Sequence, residues 1–177
     1  MMRFSFPSPS HSKTGAKRLA RWRTVREAIR DLPPLAAGQS SAIPNHVAGT
    51  HTPRIMERIM AVPKDGGSRR EIPKRLWYDC HQCSDGFNDV LGRMAWDEPS
   101  PTITSGCCNV TKGRFIHPSA NRAITPREAA RLQTFPDSYV FQGYKDQICS
   151  QIGNAFPPLY AHKLARNRLK AILSEDT

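Results

Sequence analysis

Apolar positions recur at helical spacing in five stretches of the chain. In "TVREAIRDLPPL", Val25, Ala28, Ile29 and Leu32 fall on one side, Thr24 stands as the cap with Glu27 three residues on, and Pro33-Pro34 stop the helix. "TPRIMERIMAV" predicts a second helix, with Thr52 as cap, Pro53 in the first turn and Ile55, Met56, Ile59 and Met60 as a buried stripe. "AITPREAARLQTF" carries the strongest start signal. It has a capping box at Thr125 and Glu128, Pro126 at the first helical position, and Ala129, Ala130, Leu132 and Phe135 as apolar contacts. "YKDQICSQIGN" predicts a short helix ending at Gly153-Asn154. Residues 158–173 predict a last one, with Leu159, Leu164, Leu169, Ile172 and Leu173 on its apolar side.

Alternation is confined to short pieces. "MMRFSFPSPSHS" puts Phe4 and Phe6 on one face before two prolines, a short strand running into a loop, and a chain that opens inside a strand reads as cut from something longer. Residues 35–50, rich in Ala, Gly, Ser and Pro, predict a loop, and "DSYVFQG" a short strand or turn. From 86 to 118 glycines and prolines separate short β-like pieces at Asp89–Trp96, Thr102–Thr104 and Arg114–Ile116. The fold class expected is α+β, an irregular region of short strands and loops followed by helices.

With 177 residues, 38% of them hydrophobic, the chain suffices for one domain plus a small extension. A net charge of +11 favours a polyanionic partner, nucleic acid first, although ribosome-associated and membrane-surface proteins share such a balance. Residues 1–30 hold eight Lys and Arg against the single acid Glu27, so "HSKTGAKRLARWR" reads either as an arm that follows phosphates or as a solvated segment. No apolar run is long enough for a bilayer and no signal-peptide core opens the chain, so a cytoplasmic protein is expected.

Five cysteines, an odd number, point to reduced thiols. Cys80 and Cys83 form a C-x-x-C, and with Cys107-Cys108 they loosely match a four-cysteine zinc site. Side chains of adjacent cysteines diverge, so ordinary thiols and no metal are expected. His46, His81 and His117 read as surface or satisfied histidines. The loop "PKDGGSRREIPKRLWYD", with Arg69, Arg70, Lys74 and Arg75, either touches phosphates or stays hydrated.

Three stretches together carry a resemblance. "GRFIHPSANRAITPREAARLQTFPDSYVFQG" resembles the ninth sequence block of the DNA (cytosine-5) methyltransferases, "QIGNAFPP" resembles their tenth, and "GRMAWDEPSPTIT" is similar to the end of their target recognition domain. A weaker match, "WRTVREAIRDLPPL" with the later "NH", extends the likeness toward the start. The resemblance implies a basic N-terminal strand and loop at 1–20, a target recognition domain at 21–117, and a C-terminal segment at 118–177 whose helices dock on a Rossmann-like methyltransferase domain largely missing from this chain.

It also implies an S-adenosyl-L-methionine pocket walled in part by Asn154, Ala155 and Phe156, with Gly153 allowing close backbone approach, and a domain joint organised by Arg127, Glu128, Arg131 and Gln133. Arg127 and Arg131 lie four apart and either pair with carboxylates or contact phosphates. For reading DNA the candidates are Arg93, Thr102, Thr104, Lys112 and Arg114, because arginine forks onto guanine O6 and N7 while threonine offers hydroxyl and methyl contacts. The choice between Thr102 and Thr104 for the family's recognition threonine stays open.

The family's Gly-rich cofactor loop, Pro-Cys-Gln nucleophile loop, Glu-Asn-Val segment and Gln-x-Arg-x-Arg segment are not found in these residues. No cysteine here follows a proline and precedes a glutamine, so no catalytic residue is expected in the chain. The first expectation is therefore a half-enzyme. Its partners would be double-stranded DNA and a large-domain polypeptide carrying the Pro-Cys-Gln loop. A non-catalytic DNA-binding remnant or regulator, a fragment without an independent fold, and a zinc-dependent protein of another class are the alternatives.

Overall fold

The computed structural model describes residues 6–82 and 89–173. In chain order its elements are β1 (His11–Ser12), β2 (Ala20–Arg21), α1 (Val25–Ile29), α2 (Pro53–Ala61), α3 (Asp79–Gln82), α4 (Pro126–Leu132), α5 (Lys145–Asn154) and α6 (Pro158–Leu173), with single 3₁₀ turns at Ala16–Arg18, Arg69–Glu71 and Lys74–Leu76. Each helix start read from capping chemistry forms. Thr24 accepts from the Glu27 amide while the Glu27 carboxylate accepts from the Thr24 amide, Thr52 accepts from Ile55, and Thr125 and Glu128 exchange the same pair of bonds at α4. Such caps satisfy amides that a helix cannot pair internally. At the other end of α4, the Phe135 amide bonds the Ala130 carbonyl and the Thr134 amide bonds Arg131. That closure places Thr134 at φ 71, a left-handed position where a β-branched residue is strained.

Two compact units make up the chain: Met1–Trp22 with Phe156–Thr177, and Arg23–Ala155. The first contains the parallel pair β1 and β2, in register His11 with Ala20, and helix α6, whose Lys163 ammonium donates to the Ser10 hydroxyl. The second buries its apolar residues in two clusters. One gathers Val25 and Ile29 of α1, Ala129 and Ala130 of α4, Ile148 and Ile152 of α5 and Phe115. The other gathers Ile59, Val62, Leu76, Leu91, Ile116 and Ala123. In this unit α4 and α5 share a core with α1 and Phe115.

Some expectations change. Among the described residues the β-like pieces at 89–96 and 114–116 pair through isolated bridges, Arg93 with Ile116 and Ile116 with Ala123, and Thr102–Thr104 forms no ladder. Gly92, Gly113, Pro99 and Pro101 interrupt these runs before a ladder can extend. Phe6–Ser10 forms no strand, and Phe4, residues 86–88 and Cys83 lie outside the described residues. Helix α2 is turned from its predicted stripe: Ile59 is fully buried, Met60 is exposed, and Arg58 is buried instead. The Arg58 guanidinium lies 3.9 Å from the Tyr78 ring centroid and its Nε donates to the Leu76 carbonyl, which rotates that face inward. Among the described residues no helix is long and apolar enough to cross a membrane.

Gly153 explains how α5 sits. A Cβ built there would collide with the carbonyl carbon and oxygen of Thr104 and the amide nitrogen of Ser105. The resemblance implies a close backbone approach at Gly153 to the cofactor; the approach observed is a different one, made to the backbone of the preceding loop. Replacing Gly153 with Ala is expected to cost about 1–3 kcal/mol through forced separation of α5 from that loop, despite alanine's better helix propensity. Thermal unfolding of Gly153→Ala checks this: a clearly lowered midpoint is expected, and an unchanged or raised midpoint would contradict the packing.

Candidate nucleic-acid interface

The segment 101–117 presents a small set of polar side chains on a frame of buried arginine. Arg93 is 0% exposed. Its Nη1 donates to the carbonyls of His117 and Ala120, both at 2.7 Å, and its Nη2 to the Ile59 carbonyl at 2.9 Å and the Asn121 Oδ1 at 3.1 Å. Burial pulls its pKa down to about 10, which still leaves it charged at neutral pH. A guanidinium enclosed in this way does not reach a base edge, so the expected guanine contact of Arg93 is corrected to a structural role. Arg114 is half-buried and similarly engaged, donating to the carbonyls of Gly66, Gly67 and Arg93 and to Asp89.

Thr102, Thr104 and Lys112 are exposed. Ile103 between the threonines is buried, so this extended stretch anchors its middle side chain and turns both neighbours outward. Lys112 closes a turn in which its amide bonds the Asn109 carbonyl and the Asn109 side chain accepts from the amide and hydroxyl of Thr111. Of the five residues expected to meet DNA, the structure brings three to the surface and commits two to holding it.

Of the residues expected at a domain joint, Arg127 and Glu128 are buried within the Arg23–Ala155 unit, and Arg131 and Gln133 are half-buried there. Glu128, 1% exposed, receives a two-pronged bond from Arg122 at 2.8 Å on each arm and also accepts from the Thr125 amide. Burial pushes this carboxyl up, but Arg122, His117 and Thr125 together hold it below the usual range. Arg127 is enclosed and donates to the carbonyls of Pro44, Pro136 and Tyr139. Arg131 forks onto Asp137 and also reaches Asp31. Neither arginine is free for phosphate.

Gln133 donates to the carbonyls of Ile152 and Ala155, tying the end of α4 to the end of α5. Arg122 was not singled out by the sequence, and Asn45-His46 entered only as the "NH" of the weaker family match, His46 also as a surface or satisfied histidine. Asn45, at φ 64, exchanges a bond in each direction with the Phe141 backbone, and His46 bridges Thr125 and the Pro33 carbonyl. An asparagine before a histidine in a proline-rich loop was the one available signal.

A model of the C-5 cytosine-specific DNA methylases matches residues 4–170. The chain belongs to this family. It is 37% identical over 97% of its length to the Type II methyltransferase M1.HphI of Haemophilus parahaemolyticus, covering 41% of that protein. It is 38% identical over 82% of its length to the Type II methylase M.HgiDII of Herpetosiphon aurantiacus, covering 43% of it. With M1.BsuMI of Bacillus subtilis (strain 168) it is 42% identical over 56% of its length. The chain thus spans about two-fifths of the first two relatives.

Within this chain of the cytosine methylase family, the stretch that resembles the ninth block is mostly interior and the one that resembles the tenth carries an exposed amide midway. Asn154 is exposed at the last turn of α5, its amide 3.4 Å from the Ser150 hydroxyl, and Ala155 is half-buried. Phe156, exposed, begins the return segment of the other unit. His117 is the titratable group that the methylase fold perturbs most usefully for an experiment. Burial, opposed by Glu128 and reinforced by Arg122, Arg93 and His46, lowers its pKa from 6.5 to about 4, while its Nδ1 accepts from the amides of Ser119 and Ala120.

The unfolded chain therefore binds more protons than the folded one between about pH 4 and 6.5. Stability should fall through that window on acidification and be insensitive to this group above it. Urea unfolding against pH checks this, with His117→Gln expected to flatten the slope in that window. An unchanged slope would contradict a buried neutral imidazole.

Proposed function

We propose that this chain is the C-terminal portion of a DNA (cytosine-5) methyltransferase of the Type II kind. It reads duplex DNA through the segment bearing Thr102, Thr104 and Lys112 and supplies one wall of the S-adenosyl-L-methionine pocket. Its partners are double-stranded DNA and a large-domain polypeptide that carries the Pro-Cys-Gln loop. The observation that carries this reading is the contact of Gly153 with the Thr104–Ser105 backbone. It joins the loop that presents Thr104 to the helix that ends in Asn154, so a base reader and a cofactor-side amide belong to one packed body.

The exposed carboxamide of Asn154 fits the polar end of the cofactor, since it offers both donor and acceptor with little competition from the protein. Once bound, that cofactor supplies a methyl group on a positively charged sulfur. The attack on cytosine C6 that prepares C5 for methylation requires a thiolate beside a base turned out of the helix. Cys107, Cys108 and Cys149 are buried, and Cys80 stands between Asp79 and His81. The attacking sulfur accordingly comes from outside these residues, while this chain binds and orients the duplex.

Mixing the chain with a large-domain methyltransferase polypeptide, duplex DNA and methyl-labelled cofactor tests the proposal. Label is expected on cytosine only when both polypeptides are present. Transfer by the chain alone, or no transfer and no duplex binding with the large domain supplied, would contradict it.

A further inference from the structure

Three cysteines meet where the loop 104–109 packs on α5. The ligating atoms of Cys107, Cys108 and Cys149 all lie within 4.8 Å of one another, and the Sγ atoms of Cys107 and Cys108 are 3.9 Å apart. None is more than 6% exposed, so none meets a substrate base, and the proposed methyl transfer leaves all three without a task. Side chains of adjacent cysteines diverge in a regular strand or helix, which argues against one shared centre. The backbone resolves this: the Cys107 amide bonds the Thr104 carbonyl and the Asn109 amide bonds Gly106, and these successive turns direct both thiols inward toward α5.

We propose that Cys107, Cys108 and Cys149 form a three-thiolate site for a thiophilic d10 cation, zinc or copper(I). A metal–sulfur bond of about 2.3 Å around a trigonal or tetrahedral centre separates the sulfurs by roughly 4 Å, which the observed spacing already approaches. A disulfide requires about 2 Å, so either pairing would have to draw its sulfurs much closer. The thiols also lack good hydrogen-bond partners. The Cys107 Sγ meets the Cys108 sulfur and the Cys149 carbonyl, each at a long 3.9 Å.

A separate feature supplies access. A cavity of about 250 Å³ is walled by Cys108 and Cys149, with Lys145, Asp146 and His51 also lining it. It leaves room for a fourth ligand such as water on a zinc ion. Lys145 stands one helical turn before Cys149, where its ammonium offsets the negative charge that three thiolates leave around a divalent ion. Binding releases to solvent the proton of each thiol that ligates, with no change of oxidation state. The ion would pin the recognition loop to α5 beside the Gly153 contact.

The reduced chain is loaded separately with zinc and with copper(I), freed of excess metal and weighed by native mass spectrometry. Cobalt(II) loading in parallel is read by its thiolate charge-transfer absorption. One ion per chain is expected, lost in Cys149→Ser and Cys108→Ser and kept in Cys80→Ser, and the two loading arms show which cation is held. A metal-free mass in both arms would overturn the site. So would a charge-transfer band that survives Cys149→Ser and disappears in Cys80→Ser. If a serine variant does not fold, alkylation of the unaltered chain decides: metal should slow modification of Cys107, Cys108 and Cys149 and leave Cys80 reactive, and equal reactivity with and without metal refutes the proposal.

Discussion

Arg93 drives a guanidinium into the space between α2 and the 117–121 turn and fills it with hydrogen bonds to backbone carbonyls. Arg127 does the same for three carbonyls of the 44–45 and 136–139 turns, and Arg122 for Leu35 and Ala123 while it holds Glu128. The need follows from the backbone. A chain broken by fifteen prolines and eleven glycines forms few ladders, yet its interior carbonyls must still find donors. A guanidinium carries five N–H donors in a planar fork and accepts nothing, which suits it to several inward-pointing carbonyls at once. The cost is a buried charge, and among the described residues only Glu128 is buried with the opposite sign.

That arrangement changes the meaning of the basic composition. Arg58, Arg69, Arg93, Arg122 and Arg127 are buried, so part of the positive charge that suggested a polyanion belongs to internal architecture. The charge that remains exposed, Lys112 among it, is the part available to phosphates. Thr102, Thr104 and Lys112 are presented by a loop that buries Ile103 and packs its Thr104–Ser105 backbone against Gly153.

The helix starts were legible because capping is local. Thr24, Thr52 and Thr125 each announce a helix within four residues, and the bonds that satisfy the first turn involve no distant partner. The family blocks were legible for a related reason, since contiguous residues carry them. The arginine network was not, because the partners of Arg93 lie between Ile59 and Asn121 in the chain and are mostly backbone, which leaves no side-chain pattern to read. The same blindness hid the contact of Gly153 with Thr104, the convergence of Cys149 on Cys107 and Cys108, and the rotation of α2 by Arg58. Motifs thus identified the family, and long-range packing decided which residues face outward.

The claim that guanidinium groups replace a sheet in this fold is tested most directly at Arg93. Urea unfolding of Arg93→Lys should show a loss of about 2–4 kcal/mol, because an ammonium keeps the charge but cannot reach carbonyls on both sides of the gap. Lys112→Ala, by comparison, should unfold within about 0.5 kcal/mol of the unaltered chain. Equal stability of Arg93→Lys and the unaltered chain would contradict the account.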